Sequence, residues 1–369
     1  MMAKAQPEMI IGVSLWGQGD KPFLLYAGQP IGSLIKWMRS HKTQVQSENN
    51  IWTYFTPAFT WSRRIFNGNL SGIVAANRYN LDQFISRHGM PDILHAQASY
   101  PAAWVAKQLS HHYNIPYVVT LRMSPFPFPE FLHNDQLKKD LFEVLRSASQ
   151  LIATSSSLEQ RVRSFGLDHV TTVNNPVDLQ FFVPKKGHPK NRNFKLLAVG
   201  RLEEQKGFDL LIKALSILPS TIELKIIGGG SQHIILEKLI AELKLEQRIS
   251  LLGEKSRVHV LEEFHKSDGF VLSSRHETFG NVLLEAMACG LPVVATRCGG
   301  PLDIVTNDTG IMCETENVDS LAQAIELLMN SQWDPIKIRK SVAERFSAMT
   351  FSQKMMRIYS QCAKTKDKK

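Results

Sequence analysis

Short apolar runs alternate with helix-length amphipathic stretches from Lys195 onward, and this alternation constrains the fold more than any other feature of the sequence. Short apolar runs fit strands, and apolar residues spaced three and four apart fit helices that cover a sheet. The predicted strands are 195–199, 223–227, 249–252, 269–272 and 293–296. The predicted helices are 208–218, 234–243, 258–266, 280–289, 318–329 and 335–346. This alternation predicts a doubly wound parallel sheet.

The first half of the sequence repeats the pattern less regularly. Its predicted strands are 9–15, 51–55, 93–96, 117–120, 151–154 and 170–173, and its predicted helices are 72–88, 102–113, 135–146 and 156–165. The polar stretch 183–193 has no periodicity and predicts a linker. Since 369 residues exceed one ordinary core, we predict Rossmann-like domains over 1–185 and 194–345, followed by a helix and basic tail over 346–369.

Composition excludes several classes of protein. No apolar run approaches the length that spans a bilayer, and the start MMAKAQPEM resembles no signal peptide. The four cysteines have neither disulfide-framework nor metal-finger spacing, so we expect free thiols in a reducing cytosol. The net charge of +9 has no basic arm, and such a surplus suits nucleic acid, an anionic membrane or a phosphorylated substrate equally.

One helix begins where a ligand is expected to bind. An apolar strand ends near Ser273, a helix starts near Gly280, and Gly290 followed by Pro292 ends it. The start of this helix lies just beyond the carboxyl end of a strand, where open α/β sheets bind ligands. Unpaired N–H groups at a helix start attract phosphate, and Gly280 lets a ligand approach the backbone.

Two glutamates flank this helix start. Glu277 lies in the loop before the helix, and Glu285 lies roughly 7 Å farther along the helix axis. This separation argues against two carboxylates that share one proton. It suits two carboxylates that accept hydrogen bonds from hydroxyls on distant parts of a long ligand. With phosphate at the helix start, that ligand resembles a sugar nucleotide.

The pattern E-x-F-G-x-x-x-x-E, formed by Glu277, Phe279, Gly280 and Glu285, resembles the signature of retaining glycosyltransferase family 4. The resemblance implies that Glu277 contacts hydroxyls of the donor sugar and that Glu285 binds the ribose. It also implies that amides from Phe279 to Asn281 contact phosphate. The alternative is that neither glutamate binds a ligand, so that Glu277 is an ordinary loop residue and Glu285 is a solvated helix residue.

A second element supports the resemblance. Gly200 and Arg201 follow a predicted strand, and Lys206 and Gly207 open the next helix, like the family's G-R and K-G residues. Both cations are expected at the same sheet edge as Gly280, where a departing diphosphate needs positive charge. We therefore assign catalytic roles to Glu277, Arg201 and Lys206.

Several residues with a less specific resemblance to the family complete the predicted site. Gly228 and Gly299 lie in glycine turns after strands and resemble family turns near the donor. Asp303 stands where relatives often carry Glu. His95 resembles a histidine that faces the cleft, although a histidine satisfied within the sheet edge is an equal alternative. Arg122 stands on the acceptor side, where family members usually carry a histidine.

Two further segments have open alternatives. The aromatic and proline cluster 126–131 is either an acceptor or membrane-contact loop or a cover for the core. Relatives begin with a strand, a Gly-rich loop and a helix, whereas this sequence starts like a helix end that runs into a second strand. We favour loss of the first unit, which would leave strands 2 and 4 unpaired. Alternatively 9–15 is the first strand, with Gly17 and Gly19 in its loop.

These residues and the resemblance together imply a GT-B fold. The implied reaction transfers a hexosyl group from a nucleoside diphosphate sugar to a glycan or lipid-linked acceptor with retention, within cell-surface polysaccharide synthesis. We expect no cofactor, no metal and no nucleic-acid partner, and a cytoplasmic protein with peripheral contact at the inner membrane face left open. The alternatives are a non-hydrolysing sugar-nucleotide epimerase and a noncatalytic donor-binding remnant.

Overall fold

The computed structural model of the chain describes residues 2–17, 32, 43–60, 68–184 and 193–364. We call the described residues up to Pro184 the first half and those from Asn193 onward the second half. The strands of the first half are β1 (Ile11–Leu15), β2 (Gln44–Glu48), β3 (Ile51–Phe55), β4 (Leu94–Ala96), β5 (Tyr117–Leu121), β6 (Leu132–His133), β7 (Gln136–Leu137), β8 (Gln150–Ala153) and β9 (Val170–Thr172). Its helices are α1 (Met2–Ala5), α2 (Leu70–His88), α3 (Ala102–Tyr113), α4 (Lys139–Arg146) and α5 (Ser156–Arg163).

The second half alternates strands and helices as its sequence pattern predicts. Its strands are β10 (Phe194–Val199), β11 (Ile222–Ile227), β12 (Ile249–Leu251), β13 (Gly269–Leu272), β14 (Val293–Thr296) and β15 (Gly310–Cys313). Its helices are α6 (Phe208–Ser216), α7 (His233–Glu242), α8 (Arg257–Phe264), α9 (Asn281–Ala288), α10 (Val318–Asn330), α11 (Pro335–Phe346) and α12 (Ala348–Lys364).

The strands of the second half form one parallel sheet in the order β12-β11-β10-β13-β14-β15. The first strand along the chain, β10, lies in the centre, where it pairs with β11 on one side and β13 on the other. Every residue of β13 and β14 is buried because helices cover both faces of the sheet. The doubly wound parallel sheet predicted for this half is confirmed.

The strands of the first half form separate sheets among the described residues. One sheet has the order β1-β3-β2, and the other has the order β4-β5-β8-β9. β1 pairs with β3 in parallel, and β4 pairs with β5 in parallel. Both β1 and β4 therefore stand at the end of their sheets, and no described strand pairs with their outer edges.

Several elements differ from the sequence predictions, among them the unpredicted hairpin of β6 and β7. The helix predicted over 135–146 begins only at Lys139, because Asn134 and Asp135 adopt left-handed conformations in the turn between β6 and β7. The strands Gln44–Glu48 and Gly310–Cys313 were not predicted. The predicted loop residue Gly19, the predicted linker residues 185–192 and the tail residues 365–369 lie outside the described residues.

Helix α12 follows the second half in the chain but packs against the first half. Its residues Met355, Ile358 and Tyr359 form a buried cluster with Val118 of β5 and Ile152 of β8. The carbonyl of Phe346, at the end of α11, accepts a hydrogen bond of 2.9 Å from the peptide N–H of Val177. The chain thus crosses between the halves twice and joins them along one side of the cleft.

Helix length and polarity bear on membrane insertion. Among the described residues, no helix is both long enough and apolar enough to cross a bilayer.

All four cysteines are free thiols, and three of them are buried.

Truncating Met355 tests whether α12 is part of the first-half core. Met355 is 1% exposed, so Met355→Ala should lower the free energy of unfolding by about 2 to 5 kcal/mol through lost packing and a residual cavity. The matched control is Met349→Ala on the same helix, where the side chain is 53% exposed and the change should stay within about 0.5 kcal/mol. Urea unfolding measures both values. Equal stability of the two variants would contradict the packing role of α12.

Candidate active site

Two adjoining cavities lie where the two halves meet. The smaller cavity has a volume of about 310 Å³, and Glu277, Arg201 and Lys206 all line it. The larger cavity has a volume of about 850 Å³ and is lined by Glu285 and His95 among others. Arg122, Asn175 and Asn281 line both cavities. The cleft between the halves therefore gathers most of the residues that the sequence predicts for the site.

An ion pair stands at the centre of the smaller cavity. Lys206 Nζ lies 2.5 Å from Glu277 Oε2, and the two side chains are only 18% and 12% exposed. A close approach of two loops creates this pair. Ser273 Oγ donates to the carbonyl of Lys206 at 3.0 Å, and a Cβ on Gly207 would lie 2.1 Å from the Ser273 carbonyl oxygen. Glycine at 207 is therefore required, since it also adopts a left-handed conformation with φ of 61°.

The loop that carries Glu277 is fixed by its backbone. The peptide N–H of Glu277 donates to Cys298 at 3.1 Å, and the carbonyl of Glu277 accepts from the N–H of Gly300 at 2.8 Å. Gly299 lies between these partners in a left-handed conformation with φ of 110°. Arg275 also braces the loop with a bidentate ion pair to Asp209 at 2.8 and 2.9 Å. The carboxylate of Glu277 therefore has a defined position before any ligand binds.

Helix α9 directs its first turn at the smaller cavity. Gly280 caps the helix in a left-handed conformation with φ of 100°. The first peptide N–H groups of a helix have no partner within the helix, and Gly280, Asn281 and Val282 line the cavity. The ring of Phe279 is buried and packs against Phe346 with 5.9 Å between ring centroids. Its side chain belongs to the core, so only its backbone is placed to meet a ligand.

The smaller cavity carries an excess of positive charge. Arg122 from the first half and Arg201 and Lys206 from the second half line it, against the single carboxylate of Glu277. Among the described residues, neither arginine forms an ion pair. Such a site favours an anionic ligand, because guanidinium groups form bidentate hydrogen bonds with phosphate and carboxylate.

Glu285 lies in a different environment from Glu277. It lines the larger cavity, and burial raises the pKa of its carboxyl group to about 7, although the charge of Arg257 acts in the opposite direction. Two carboxylates in separate cavities do not share a proton. This placement agrees with the separation predicted from the sequence.

Hydrogen bonds join the two walls of the cleft. The carboxylate of Asp303 accepts from the N–H of Ser156 at 2.7 Å and from its hydroxyl group, and it also accepts from Asn174 at 3.3 Å. Asn175 Nδ2 donates to Asn281 Oδ1 at 3.1 Å, while its own Oδ1 is buried without a partner. Thr154 Oγ1 is buried and unpaired as well, and both residues line the smaller cavity. A ligand with hydroxyl groups can satisfy both acceptors.

Besides Glu285, three predicted residues do not line the smaller cavity. His95 bonds to the hydroxyl of Tyr359 at 2.6 Å and to that of Thr120 at 2.7 Å, so both ring nitrogens are engaged. Burial, aided by the nearby positive charge of Arg122, lowers its pKa to about 3. Gly228 packs against Gly200, where a Cβ would lie 1.8 Å from the carbonyl oxygen. Gly299 shapes the Glu277 loop.

The sequence predictions missed several residues that line the smaller cavity. These are Gln205, Thr278, Asn175, Thr154 and Ser124. Gln205 Nε2 bridges the halves by donating to Ser124 Oγ at 2.7 Å and to the carbonyl of His276 at 2.8 Å. Each missed residue lies just beyond a strand's carboxyl end or within an already recognised motif. That position is the signal that could have identified them.

Metal ligation is a separate question for this cleft. Within the part of the chain that the structure describes, no group of three His, Cys, Asp or Glu side chains is placed to hold a metal ion.

Two family profiles match the chain. The profile described as "Glycosyl transferases group 1" matches residues 180–346, and the profile described as "Glycosyltransferase Family 4" matches residues 39–181. The matches lie on either side of the boundary between the halves.

Curated relatives agree with these profiles. A glycogen synthase of Mycobacterium tuberculosis is 29% identical over 255 residues, which cover 66% of this chain and 61% of the relative. A D-inositol 3-phosphate glycosyltransferase of Pseudarthrobacter chlorophenolicus is 27% identical over 311 residues, which cover 77% of this chain and 74% of the relative. The chain therefore spans less than two thirds of the glycogen synthase.

Solved structures share the whole architecture. Sucrose-phosphate synthase of Thermosynechococcus elongatus superposes with a TM-score of 0.72 at 20% identity, over 95% of this chain and 98% of the other. HepE of Anabaena, solved in complex with UDP, superposes with a TM-score of 0.68 at 18% identity, over 95% of this chain and 100% of the other. At these identities the similarity establishes the fold.

Two Rossmann-like halves that face one cleft define a protein of the GT-B class. The chain belongs to the group 1 glycosyltransferases and is of the family 4 type. The expected fold and family are both confirmed.

The raised pKa of Glu285 predicts a pH-dependent stability. Glu285 ionises near pH 4.5 when unfolded and near pH 7 when folded, so between these values the folded chain keeps a proton that the unfolded chain releases. Stability due to this group falls as pH rises through that window and is constant above it. Glu285→Gln should remove this loss, so the variant gains stability over the parent from about pH 4.5 to about pH 7.

Urea unfolding at several pH values measures this difference. Glu262→Gln, at an exposed glutamate on α8, is the control for the substitution itself. A difference between parent and Glu285→Gln that does not change with pH would contradict the assigned environment of Glu285.

Proposed function

We propose that the chain transfers a hexosyl group from a nucleoside diphosphate sugar to a glycan or lipid-linked acceptor, with retention of the anomeric configuration. The observation that carries the proposal is the meeting of Glu277, Lys206 and Arg201 with the first turn of α9 in one cavity. Cations and helix amides suit a diphosphate, and a fixed carboxylate suits sugar hydroxyls.

The donor binds across both cavities in this proposal. Its diphosphate lies against Arg201, Lys206 and the N–H groups of Gly280 and Asn281. Its sugar donates hydroxyl hydrogen bonds to Glu277, and its ribose meets Glu285 in the larger cavity. Bound ribose hydroxyls favour the ionised form of Glu285, so donor binding lowers the pKa of this carboxyl group.

The chemistry follows from the placement of charge. The bond between the anomeric carbon and the diphosphate oxygen breaks, and its electron pair leaves with the diphosphate. Arg201 and Lys206 stabilise the negative charge that develops there, in a site held in place before reaction. The acceptor oxygen then bonds to the same face of the sugar, and its proton passes to the departing diphosphate. Lys206 connects the diphosphate site with the sugar site, because it also forms an ion pair with Glu277.

Solved relatives support a nucleotide sugar donor. Anabaena HepE has been solved in complexes described with UDP, with UDP and glucose, and with UDP-glucose. UDP-glucose is therefore the first donor to test with this chain. The lining of the larger cavity is largely apolar, which favours an acceptor with a lipid portion over a fully hydrophilic glycan.

A noncatalytic donor-binding protein is the second candidate. The observation that favours it is the interrupted sheet of the first half, since β1 and β4 leave a wall of the cleft without a strand among the described residues. Such a protein would bind UDP-glucose and never turn it over. An epimerase on the same fold would convert the donor with no acceptor present. NMR of the donor alone and of the donor with acceptor separates these activities.

Substitution at the ion pair and at its neighbouring arginine tests the proposed function. Arg201→Ala and Glu277→Ala should each lower turnover at least about 100-fold by removing transition-state contacts, while circular dichroism and thermal unfolding stay close to the parent. Matched controls are Arg297→Ala and Glu314→Ala, which break an exposed ion pair away from the cavities. Full activity in either cavity variant would refute the site assignment.

Chelation tests the proposed source of positive charge. Arg201, Lys206 and the helix amides surround the place of the diphosphate, so we expect EDTA to leave the rate of transfer unchanged. A control reaction with an enzyme known to need magnesium verifies that chelation is complete. Loss of transfer in EDTA that Mg²⁺ or Mn²⁺ restores would contradict a metal-free mechanism.

A further inference from the structure

Arg122 enters the smaller cavity from the first half, whereas Arg201 and Lys206 enter it from the second half. It is the first residue after β5, whose residues are all buried. It therefore stands at the carboxyl edge of a parallel sheet, where open α/β folds bind ligands. Arg122 is exposed and lines both cavities. We call the first-half residues that line the smaller cavity the first-half wall, and they are Arg122, Ser124, Thr154 and Asn175.

Two hydrogen bonds from the second half hold the segment that follows Arg122. Gln205 Nε2 donates to Ser124 Oγ at 2.7 Å. Thr278 Oγ1 donates to the carbonyl of Met123 at 3.3 Å. In the sequence, Gln205 and Thr278 are direct neighbours of the two residues that form the ion pair of the smaller cavity. The two loops that form this ion pair therefore also fix the position of Arg122.

The first half provides no opposite charge for Arg122. Among the described residues, no carboxylate forms an ion pair with it. Its neighbours His95 and Tyr359 bond to each other at 2.6 Å. Burial and the positive charge of Arg122 lower the pKa of His95 to about 3, so this histidine is neutral at pH 7. Arg122 therefore carries a charge that is free to meet an anionic ligand.

The charges in the smaller cavity balance a diphosphate only when Arg122 is counted. Arg201 and Lys206 against Glu277 leave one positive charge, and Arg122 adds a second. The diphosphate of a nucleotide sugar carries one negative charge on each of its phosphates at neutral pH. Without Arg122, one of these charges would have no opposite charge in the cleft, which is costly away from bulk water.

The rest of the first-half wall suits hydroxyl groups better than a second anion. Asn175 Oδ1 and Thr154 Oγ1 are both buried without a hydrogen-bond partner. The amide oxygen of Asn175 only accepts hydrogen bonds, so it would bind a sugar hydroxyl and repel a carboxylate. This wall therefore favours the diphosphate, over an acidic group of the sugar or the acceptor, as the partner of Arg122.

We propose that Arg122 binds the donor diphosphate from the first-half wall and acts as a third catalytic cation beside Arg201 and Lys206. The identity of this anion rests on the proposed function. When the bond to the sugar breaks, the departing diphosphate gains negative charge, and Arg122 stabilises it together with the two second-half cations. Separation of the halves breaks the bond from Gln205 to Ser124 and withdraws Arg122. The leaving group is thus fully neutralised only in the closed cleft.

Binding of inorganic diphosphate tests the proposal without any sugar transfer. In isothermal titration, Arg122→Ala should raise the dissociation constant at least about tenfold, because a hydrogen-bonded contact between opposite charges is lost. Arg201→Ala should weaken binding to a similar extent. The matched control is Arg146→Ala in the first half, where the side chain is 68% exposed and lines neither cavity. This control should leave the affinity unchanged.

Ser124→Ala tests whether the bridge between the halves acts through Arg122. The substitution removes the acceptor of the bridge and leaves the bond from Gln205 to the carbonyl of His276. It should raise the dissociation constant for inorganic diphosphate about two- to tenfold in the parent chain and leave it unchanged in an Arg122→Ala background. An effect of equal size in both backgrounds would overturn the positioning role of the bridge.

Three results would overturn the role of Arg122 itself. The first is a parent chain that does not bind inorganic diphosphate. The second is an affinity that Arg122→Ala leaves unchanged while Arg201→Ala weakens it, which would assign Arg122 to another part of the substrates. The third is equal weakening by Arg122→Ala and Arg146→Ala, which would show only an effect of net charge.

Two further measurements keep these results interpretable. Circular dichroism compares each variant with the parent, and Arg122→Gln, which keeps a polar side chain, replaces Arg122→Ala if that variant does not fold. Sugar transfer is measured separately. Diphosphate binding through Arg122 in a chain that never transfers a sugar would count against the proposed function and not against this contact.

Discussion

The structure of the site depends on the close approach of Gly207 to the carbonyl oxygen of Ser273. This approach is available because β10 and β13 are neighbours in the second sheet, although 69 residues lie between Val199, which ends β10, and Gly269, which begins β13. It brings Lys206 against Glu277 and holds the loop that leads to α9. A side chain at 207 would separate the two loops. The ion pair, the first turn of α9 and the loop of Gly299 would then lose their common geometry.

The two halves reach comparable folds by different means. The second half is one continuous sheet with its first strand in the centre and both faces covered. Among the residues that the structure describes, the first half has separate sheets that end at β1 and β4, and α12 covers the strands β5 and β8. Asp303, Asn175 and Gln205 join the walls of the cleft by hydrogen bonds. Packing of α12 and polar bridges across the cleft therefore hold the two halves together.

Local patterns predicted most of the second half and many residues that line the smaller cavity. Apolar strands and glycine stops locate β13 and α9 closely, because burial on both faces and helix termination leave strong local signals. The strand Gln44–Glu48 gave no such signal, since it is mostly exposed and polar. The helix over 135–146 was predicted too long because a hairpin turn at Asn134 and Asp135 overrode its helical pattern. Gln205 and Thr278 were missed because nothing in their type distinguishes a cleft residue from a loop residue.

The sequence by itself determined which segments form strands and helices, where α9 begins, and which glutamates and cations belong to one motif. These features depend on neighbours within a few residues, so local spacing is enough to reveal them. Only the tertiary structure decided that Lys206 pairs with Glu277 and that the hydroxyl of Tyr359 in α12 forms a hydrogen bond with His95. It also decided that burial raises the pKa of Glu285. Each of these depends on sheet order and on contacts between distant parts of the chain. Local propensity carries no information about such contacts, because burial and pairing arise only when the sheets assemble.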